Sequence, residues 1–336
     1  MDKEKSTIIK GIAILMMLFY HLFGISELDV MCSPWVYLHD KALVAYLSDA
    51  CYPVPFFLIL SGYGLTYVYR KQQLKIRQQL KRLLKLYIHY WIVLLIFVSI
   101  GHFIRPDVYP NDFPHVIGNI TAIRCNYNGE VWFLFPYALL SISAVFLIPF
   151  IDRLRTKLSI VSAVVGYAAL FGMAKYVAMI LPNNLILNII GLQFVYYVIL
   201  LFYFVLGIVL YRLLESTERV RKLDGRICIG MLIALIILKS LFKVTIADGI
   251  YAFLFIILFL NIHVPEWLQK IFKALGRRSM LMWMTHTFFC VYLFQDFIYG
   301  FKYPLIIFLV LVVVSYLTAI PIMWLSSIVI KKLKLN

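Results

Sequence analysis

Ten stretches of mostly apolar residues follow one another along this chain, separated only by short connections. A helix needs about 20 such residues to cross the hydrocarbon of a bilayer. The stretches lie near 6–26, 44–68, 83–104, 130–151, 158–180, 188–211, 227–244, 247–264, 279–300 and 305–330. No remaining segment is long or polar enough for a second, soluble domain, so 1–336 reads as a single integral-membrane domain. The expected fold class is all-α, a polytopic membrane protein of ten transmembrane helices. The first stretch follows a basic start, as a signal peptide would. It is too long for the apolar part of one and lacks a small-residue cleavage site, so it reads as a helix.

Composition agrees. Hydrophobic residues make up 63% of the chain and charged residues 14%, against about 25% charged in a soluble domain. This excludes a disordered chain, a coiled coil and an ordinary soluble enzyme. The net charge of +16 would suggest a nucleic-acid binder in a soluble protein. In a membrane protein, Lys and Arg collect on the cytoplasmic side and produce the same excess. With the N-terminus placed inside and the spans alternating, 25 of the 32 basic residues fall on the inner side. That asymmetry predicts both termini in the cytoplasm and an even number of spans, and it needs no nucleic acid.

Five cysteines carry no CxxC and no metal-ligand spacing, so no metal is expected. A Cys32–Cys125 disulfide stays open.

Ionisable residues inside spans are costly and are functional candidates by default. His21 lies eleven residues after Lys10 in the first stretch. That is about three turns, so both share one face, roughly 16 Å apart along the axis. Lys10 then sits near the cytoplasmic interface and His21 near or beyond the midplane. A neutral imidazole there can take and return a proton; a histidine simply bonded to another helix is the alternative.

In the second stretch, Pro53 and Pro55 predict a kink or break. Ser61-Gly62-Tyr63-Gly64 then puts small residues and hydroxyls mid-span, for close packing or for passage of a narrow ligand. The connection from Arg70 to Lys85 holds seven basic residues, which suit anionic headgroups or a multiply phosphorylated ligand. Arg82 and Lys85, at i and i+3, share a face expected to turn toward the bundle. Glu130 and Trp132 open the fourth stretch: a loop charge beside a belt aromatic, or a pair facing a sugar or a histidine. Ser279 and His286, two turns apart, share a face of the ninth stretch, placing a second imidazole about 10 Å in from the cytoplasmic end.

Together these pieces resemble the integral-membrane acyltransferase-3 family along nearly the whole chain. The family's Arg, ten residues, then His appears as Lys10 and His21. Its FF-x-x-SG-(F/Y) is matched by Phe56-Phe57 and Ser61-Gly62-Tyr63, with one extra residue between. Its Arg-x-x-Arg is Arg82-Leu83-Leu84-Lys85, and its Trp-Phe-Leu is Trp132-Phe133-Leu134. Its late Ser-x-x-x-Tyr-x-x-His is Ser279 to His286, with Trp283 in the Tyr place. Each motif is weak alone; five in order are specific. The two Lys-for-Arg replacements keep charge but lose the bidentate fork.

The resemblance implies transfer of an acyl group, usually acetyl, from cytoplasmic acyl-CoA to a hydroxyl of an exported or cell-surface glycan or lipid-linked sugar. It implies a multi-pass protein of the cell membrane, the bacterial cytoplasmic membrane in particular. His21 would act as base or acyl relay. Lys10, Arg82 and Lys85 would hold the phosphates of acetyl-CoA or another acyl-CoA. Ser61, Tyr63 and His286 would line the passage or polarise the thioester, and Glu130 and Trp132 would face the acceptor. Many relatives carry an appended extracytoplasmic domain; the chain ends soon after its last stretch, so it is expected to act alone, as a homo-oligomer, or with a separate partner. The competing class is a transporter or flippase of a lipid-linked sugar or small metabolite. Transporters often show inverted repeats with paired broken helices, and one Pro-interrupted stretch without a matching repeat favours the enzyme.

Overall fold

The computed structural model describes residues 1–26, 28–154, 158, 161, 164–168, 172, 185–216, 223–244 and 247–335. Between turns and irregular connections they form helices and one short antiparallel hairpin, Tyr37–Leu38 against Lys41–Ala42. In chain order the helices are α1 (Lys3–Phe23), α2 (Leu28–Met31), α3 (Leu43–Asp49), α4 (Val54–Lys71), α5 (Ile76–Ile104), α6 (Phe113–Thr121) and α7 (Leu134–Arg153). They continue as α8 (Leu185–Ser216), α9 (Gly225–Leu241), α10 (Asp248–Phe259), α11 (Glu266–Thr287), α12 (Gln295–Tyr299) and α13 (Pro304–Lys332).

Local chemistry sets the ends. Asp2 caps α1 by accepting from the Lys5 N–H at 2.7 Å, and Glu4 complements the positive end of the helix dipole. Asp112 caps α6 and Asp224 caps α9 in the same way. Pro304 opens α13, where its missing N–H costs nothing. The Pro53–Pro55 pair acts as expected: residues 50–53 are not helical, and the stretch is broken into α3 and α4.

Among the described residues, six segments are long and apolar enough to cross a membrane: Lys3–Phe23, Leu43–Lys71, Ile76–Ile104, Gly129–Arg153, Ile189–Ser216 and Pro304–Lys332. The burial pattern of α13 shows the same thing residue by residue. Leu305, Leu309, Val313, Leu317 and Trp324 lie exposed along one side, while Ile307, Leu311, Ser315, Ala319, Ile322 and Ser326 are buried on the other. An apolar stripe of this length belongs against lipid, not water.

Four of the ten expected stretches are not among these six. Most of 158–180 lies outside the described residues. The stretches 227–244 and 247–264 form α9, of 17 residues, and α10, of 12. At 1.5 Å per residue α10 reaches only about 18 Å. The stretch 279–300 does not begin a helix. Its first part is the apolar half of α11, whose charged half carries Lys270, Lys273, Arg277 and Arg278; a π-helical turn at Phe288–Tyr292 then ends the run before α12. These four basic residues, which precede the expected stretch, are therefore themselves helical.

All five cysteines, Cys32 and Cys125 included, are free. Burial pushes the Cys125 thiol up to about 12 and the Cys32 thiol up to about 11.

The chain divides into two compact units. Unit 1 comprises Met1–Phe56, Ile88–Pro110 and Arg221–Asn336; unit 2 comprises Phe57–Tyr87 and Asn111–Val220. In unit 1, α1 and α11 run parallel in close contact. A Cβ added to Gly276 would overlap the Thr7 carbonyl oxygen, and one added to Gly11 would overlap that of Phe272. In unit 2, Gly62 of α4 and Gly207 of α8 meet in the same way: a side chain on either would overlap backbone of the other helix. Small residues let backbones approach where no hydrophobic driving force separates helix from lipid.

Candidate functional site

Lys10, His21 and His286 lie in unit 1. The parallel contact of α1 and α11 carries two glycines at one level and the two histidines nearly three turns further on. The His21 and His286 rings stand 5.0 Å apart, centroid to centroid, tilted by 50°. His286 is fully buried and His21 half-buried. His286 Nδ1 lies 3.1 Å from the Met282 carbonyl oxygen and 2.8 Å from that of Trp283. A carbonyl can only accept, so Nδ1 carries the hydrogen. The lone pair is then on Nε2, which is buried and has no hydrogen-bond partner among the described residues. Such a nitrogen can accept a proton or a hydrogen bond from whatever enters beside it. The bond to residue 283 comes from its backbone, so Trp283 supports His286 as any residue there would. Ser279 bonds back to the Gly276 carbonyl at 3.0 Å, and Lys10, half-buried, lies one residue before Gly11.

Ser61, Tyr63, Arg82, Lys85, Glu130 and Trp132 lie in unit 2. Ser61 Oγ is 3.2 Å from the Tyr137 hydroxyl of α7. Tyr63 is buried with its ring 5.4 Å from that of Tyr211. Arg82 is exposed and donates from Nη1 to Gln79 Oε1 at 3.1 Å; Lys85 is half-buried. Gln79 is buried, and Ser141 of α7 donates to the same oxygen at 3.1 Å. Glu130 sits half-buried in a single 3-10 turn, Gly129–Val131, whose N–H at Glu130 is accepted by Asn128. Trp132 packs its ring 4.5 Å from Tyr196, so it is held by protein and is not a simple belt anchor.

The whole arrangement follows one family's order of parts. The model of an acyltransferase domain, that of the acyltransferase-3 family, matches residues 5–326.

The chain belongs to the acyltransferase-3 family.

It is therefore a membrane acyltransferase, all-helical and multi-pass. No curated protein and no solved structure matches it.

Sequence reading missed several partners in this acyltransferase. Tyr137, Gln79 and Ser141 carry no motif, and only tertiary contact reveals them. Arg278 was legible as a basic residue of the inner side, but not its bond to the Tyr316 hydroxyl at 2.8 Å. Lys239 was legible as a charge inside an apolar run. That should signal a buried counter-charge, and Asp248 is there, 2.9 Å away. Among the described residues no cluster of side chains suits a metal ion.

Proposed function

We propose that this membrane acyltransferase moves an acetyl group, or a related acyl group, from cytoplasmic acyl-CoA to a hydroxyl of an exported or cell-surface glycan. The observation that carries the reading is the apposition of His21 to a buried His286 with a fixed tautomer and an unpartnered Nε2. Acyl transfer to a hydroxyl needs a group that removes the hydroxyl proton as the oxygen attacks the thioester carbonyl. His21 takes that proton. The C–O bond forms, the tetrahedral intermediate collapses, the C–S bond breaks, and the proton passes to the departing thiolate of CoA. In the relay version the imidazole of His21 accepts the acyl group first and the hydroxyl then removes it. His286 orients or polarises from the neighbouring helix.

In unit 1, Lys10 is a cation for an anionic group; in unit 2, Arg82 and Lys85 at the start of α5 bind the phosphates of the donor. Ser61 and Tyr63 line the path of its arm, and Glu130 and Trp132 serve the acceptor. Ten spans, with both termini in the cytoplasm of a bacterial cell, would put the basic run of α5 on the donor's side.

The test is acetyl-CoA binding by the purified chain in nanodiscs, together with glycan acetylation in cells. Wild type binds acetyl-CoA, and His21→Ala abolishes acetylation at unchanged expression. Normal acetylation by His21→Ala overturns the mechanism. A wild type that neither binds acyl-CoA nor changes glycan acetylation moves the transporter reading ahead.

A further inference from the structure

A second set of charges in unit 1 lies outside the residues assigned to that chemistry above. Five charged side chains come together from the hairpin, α3, α9, the residues after α9, and the start of α10. Asp49 accepts from Lys41 at 3.0 Å through one oxygen and pairs with Lys243 at 3.1 Å through the other. Lys239 lies 2.9 Å from Asp248 Oδ1. Asp49, Lys239 and Asp248 keep only 6%, 8% and 7% of their side-chain surface, whereas Lys41 and Lys243 keep 42% and 70%. The two pairs are neighbours: α9 packs on α3, and Asp248 lies within electrostatic reach of both Asp49 and Lys243.

The cluster sits by the end of α1 that carries His21. Lys243 is within electrostatic reach of Tyr20. The Tyr20 ring is 5.2 Å from that of His21 and 5.7 Å from that of Tyr52. Gly24, which ends α1, faces Ser48, the residue before Asp49.

Two further observations point to a ligand. The Tyr251 hydroxyl, one turn after Asp248 on the same face of α10, is buried and has no hydrogen-bond partner among the described residues. Buried hydroxyls left unsatisfied are rare and costly. In addition, three ammoniums face two carboxylates. The surplus positive charge belongs to the exposed lysines, where an anion can reach it.

We propose that this cluster is an acceptor subsite: a hydroxyl-rich ligand, a sugar, pairs with Asp248 and Tyr251, and an oxyanion on that ligand, carboxylate or phosphate, is held by Lys243 and Lys41. The link to acyl transfer rests on the proposed function; the binding itself does not. An acidic sugar is preferred over a neutral one, and its hydroxyls are held near His21.

The test uses the full chain in nanodiscs, titrated calorimetrically with methyl glucuronoside, glucose 6-phosphate and methyl glucoside. One charge-assisted contact corresponds to about a tenfold change in affinity. At least one acidic sugar is expected to bind about tenfold more tightly than the glucoside, and the tighter of the two identifies carboxylate or phosphate. Lys243→Gln and Lys41→Gln each remove most of that preference and leave glucoside binding unchanged. Both lysines are exposed enough for the variants to fold. Tyr251→Phe keeps the ring and weakens all three sugars together. The proposal is overturned if no probe binds, if the glucoside binds as tightly as both acidic sugars, or if the double Lys→Gln variant matches wild type. Acidic-sugar binding without acetyl-CoA-dependent transfer keeps this site and overturns the proposed reaction. Transfer without any acidic preference does the reverse.

Discussion

The imidazoles of His21 and His286 face each other across the α1–α11 contact at 5.0 Å, centroid to centroid. Because Nδ1 of His286 is tied to the backbone of its own helix, the ring cannot turn without losing those bonds, and its Nε2 lone pair keeps one direction. The two residues are therefore expected to act as a unit. His21→Ala should lower kcat for acyl transfer by about 10²–10⁴-fold, and His286→Ala by a comparable factor. The double variant should be no worse than the poorer single one, as for residues that serve one step. Losses that multiply in the double variant would mean that the two act separately.

The glycines of this contact hold the pair together. Gly11→Val or Gly276→Val forces a side chain into a carbonyl oxygen of the facing helix. Overpacking of this kind costs about 1–3 kcal/mol. Both variants should melt lower in detergent and lose acyl transfer, because α1 and α11 separate and carry the histidines apart. Gly64→Ala is the control. Nothing lies within 4 Å of the added carbon, so it should be neutral or slightly stabilising, by about 0.5–1 kcal/mol through helix propensity.

The Lys239–Asp248 pair is expected to show the asymmetry of buried ion pairs. Lys239→Met leaves a carboxylate without its cation in a nearly dry site and should cost about 3–5 kcal/mol. Lys239→Met combined with Asp248→Leu removes both charges and should recover most of the melting temperature. If the pair is an acceptor subsite, the recovered double variant still fails to bind acidic sugar. A single variant as stable as wild type would show that water reaches the pair.

A pH effect is expected at α6, outside the spans. Asp112 accepts from both the backbone N–H and the ring Nδ1 of His115. The side-chain bond from His115 holds the Asp112 carboxyl below its usual range. A carboxylate depressed in the folded state stabilises above its unfolded pKa, about 3.9, and loses that contribution as pH falls through the folded value. The protection of amides from exchange at the start of α6, relative to unstructured chain at the same pH, should be flat near neutrality and fall below about pH 4. Asp112→Ala should raise exchange there already at neutral pH and flatten the acid response. Equal exchange in both proteins at neutral pH would remove Asp112 as the cap.

Much of the acyltransferase was readable along the chain. The charge count, the Pro53–Pro55 break and the eleven-residue step from Lys10 to His21 are local facts: hydropathy, ring geometry and helix period act within one segment and need no partner. Motif order was enough to indicate the family. The stretches 227–244 and 247–264 run past the ends of α9 and α10, at Leu241 and Phe259, because hydropathy does not mark where a helix stops. The start at Ser279 was misplaced because a charged amphipathic half-helix reads as a connection when no neighbour is known.

What the sequence determined alone is that this chain is a helical membrane protein with an acyltransferase's set of motifs. Only the tertiary structure decided that His286 stands beside His21 with its Nδ1 hydrogen committed, that Gly11 and Gly276 bring their helices together, and that Lys239 answers Asp248. The reason is physical. Apolar length and helix period are properties of a segment in its solvent. Which buried nitrogen meets which ring, and which charge finds a partner, depends on two helices approaching to backbone contact across some 265 residues of chain, and no local pattern encodes that distance.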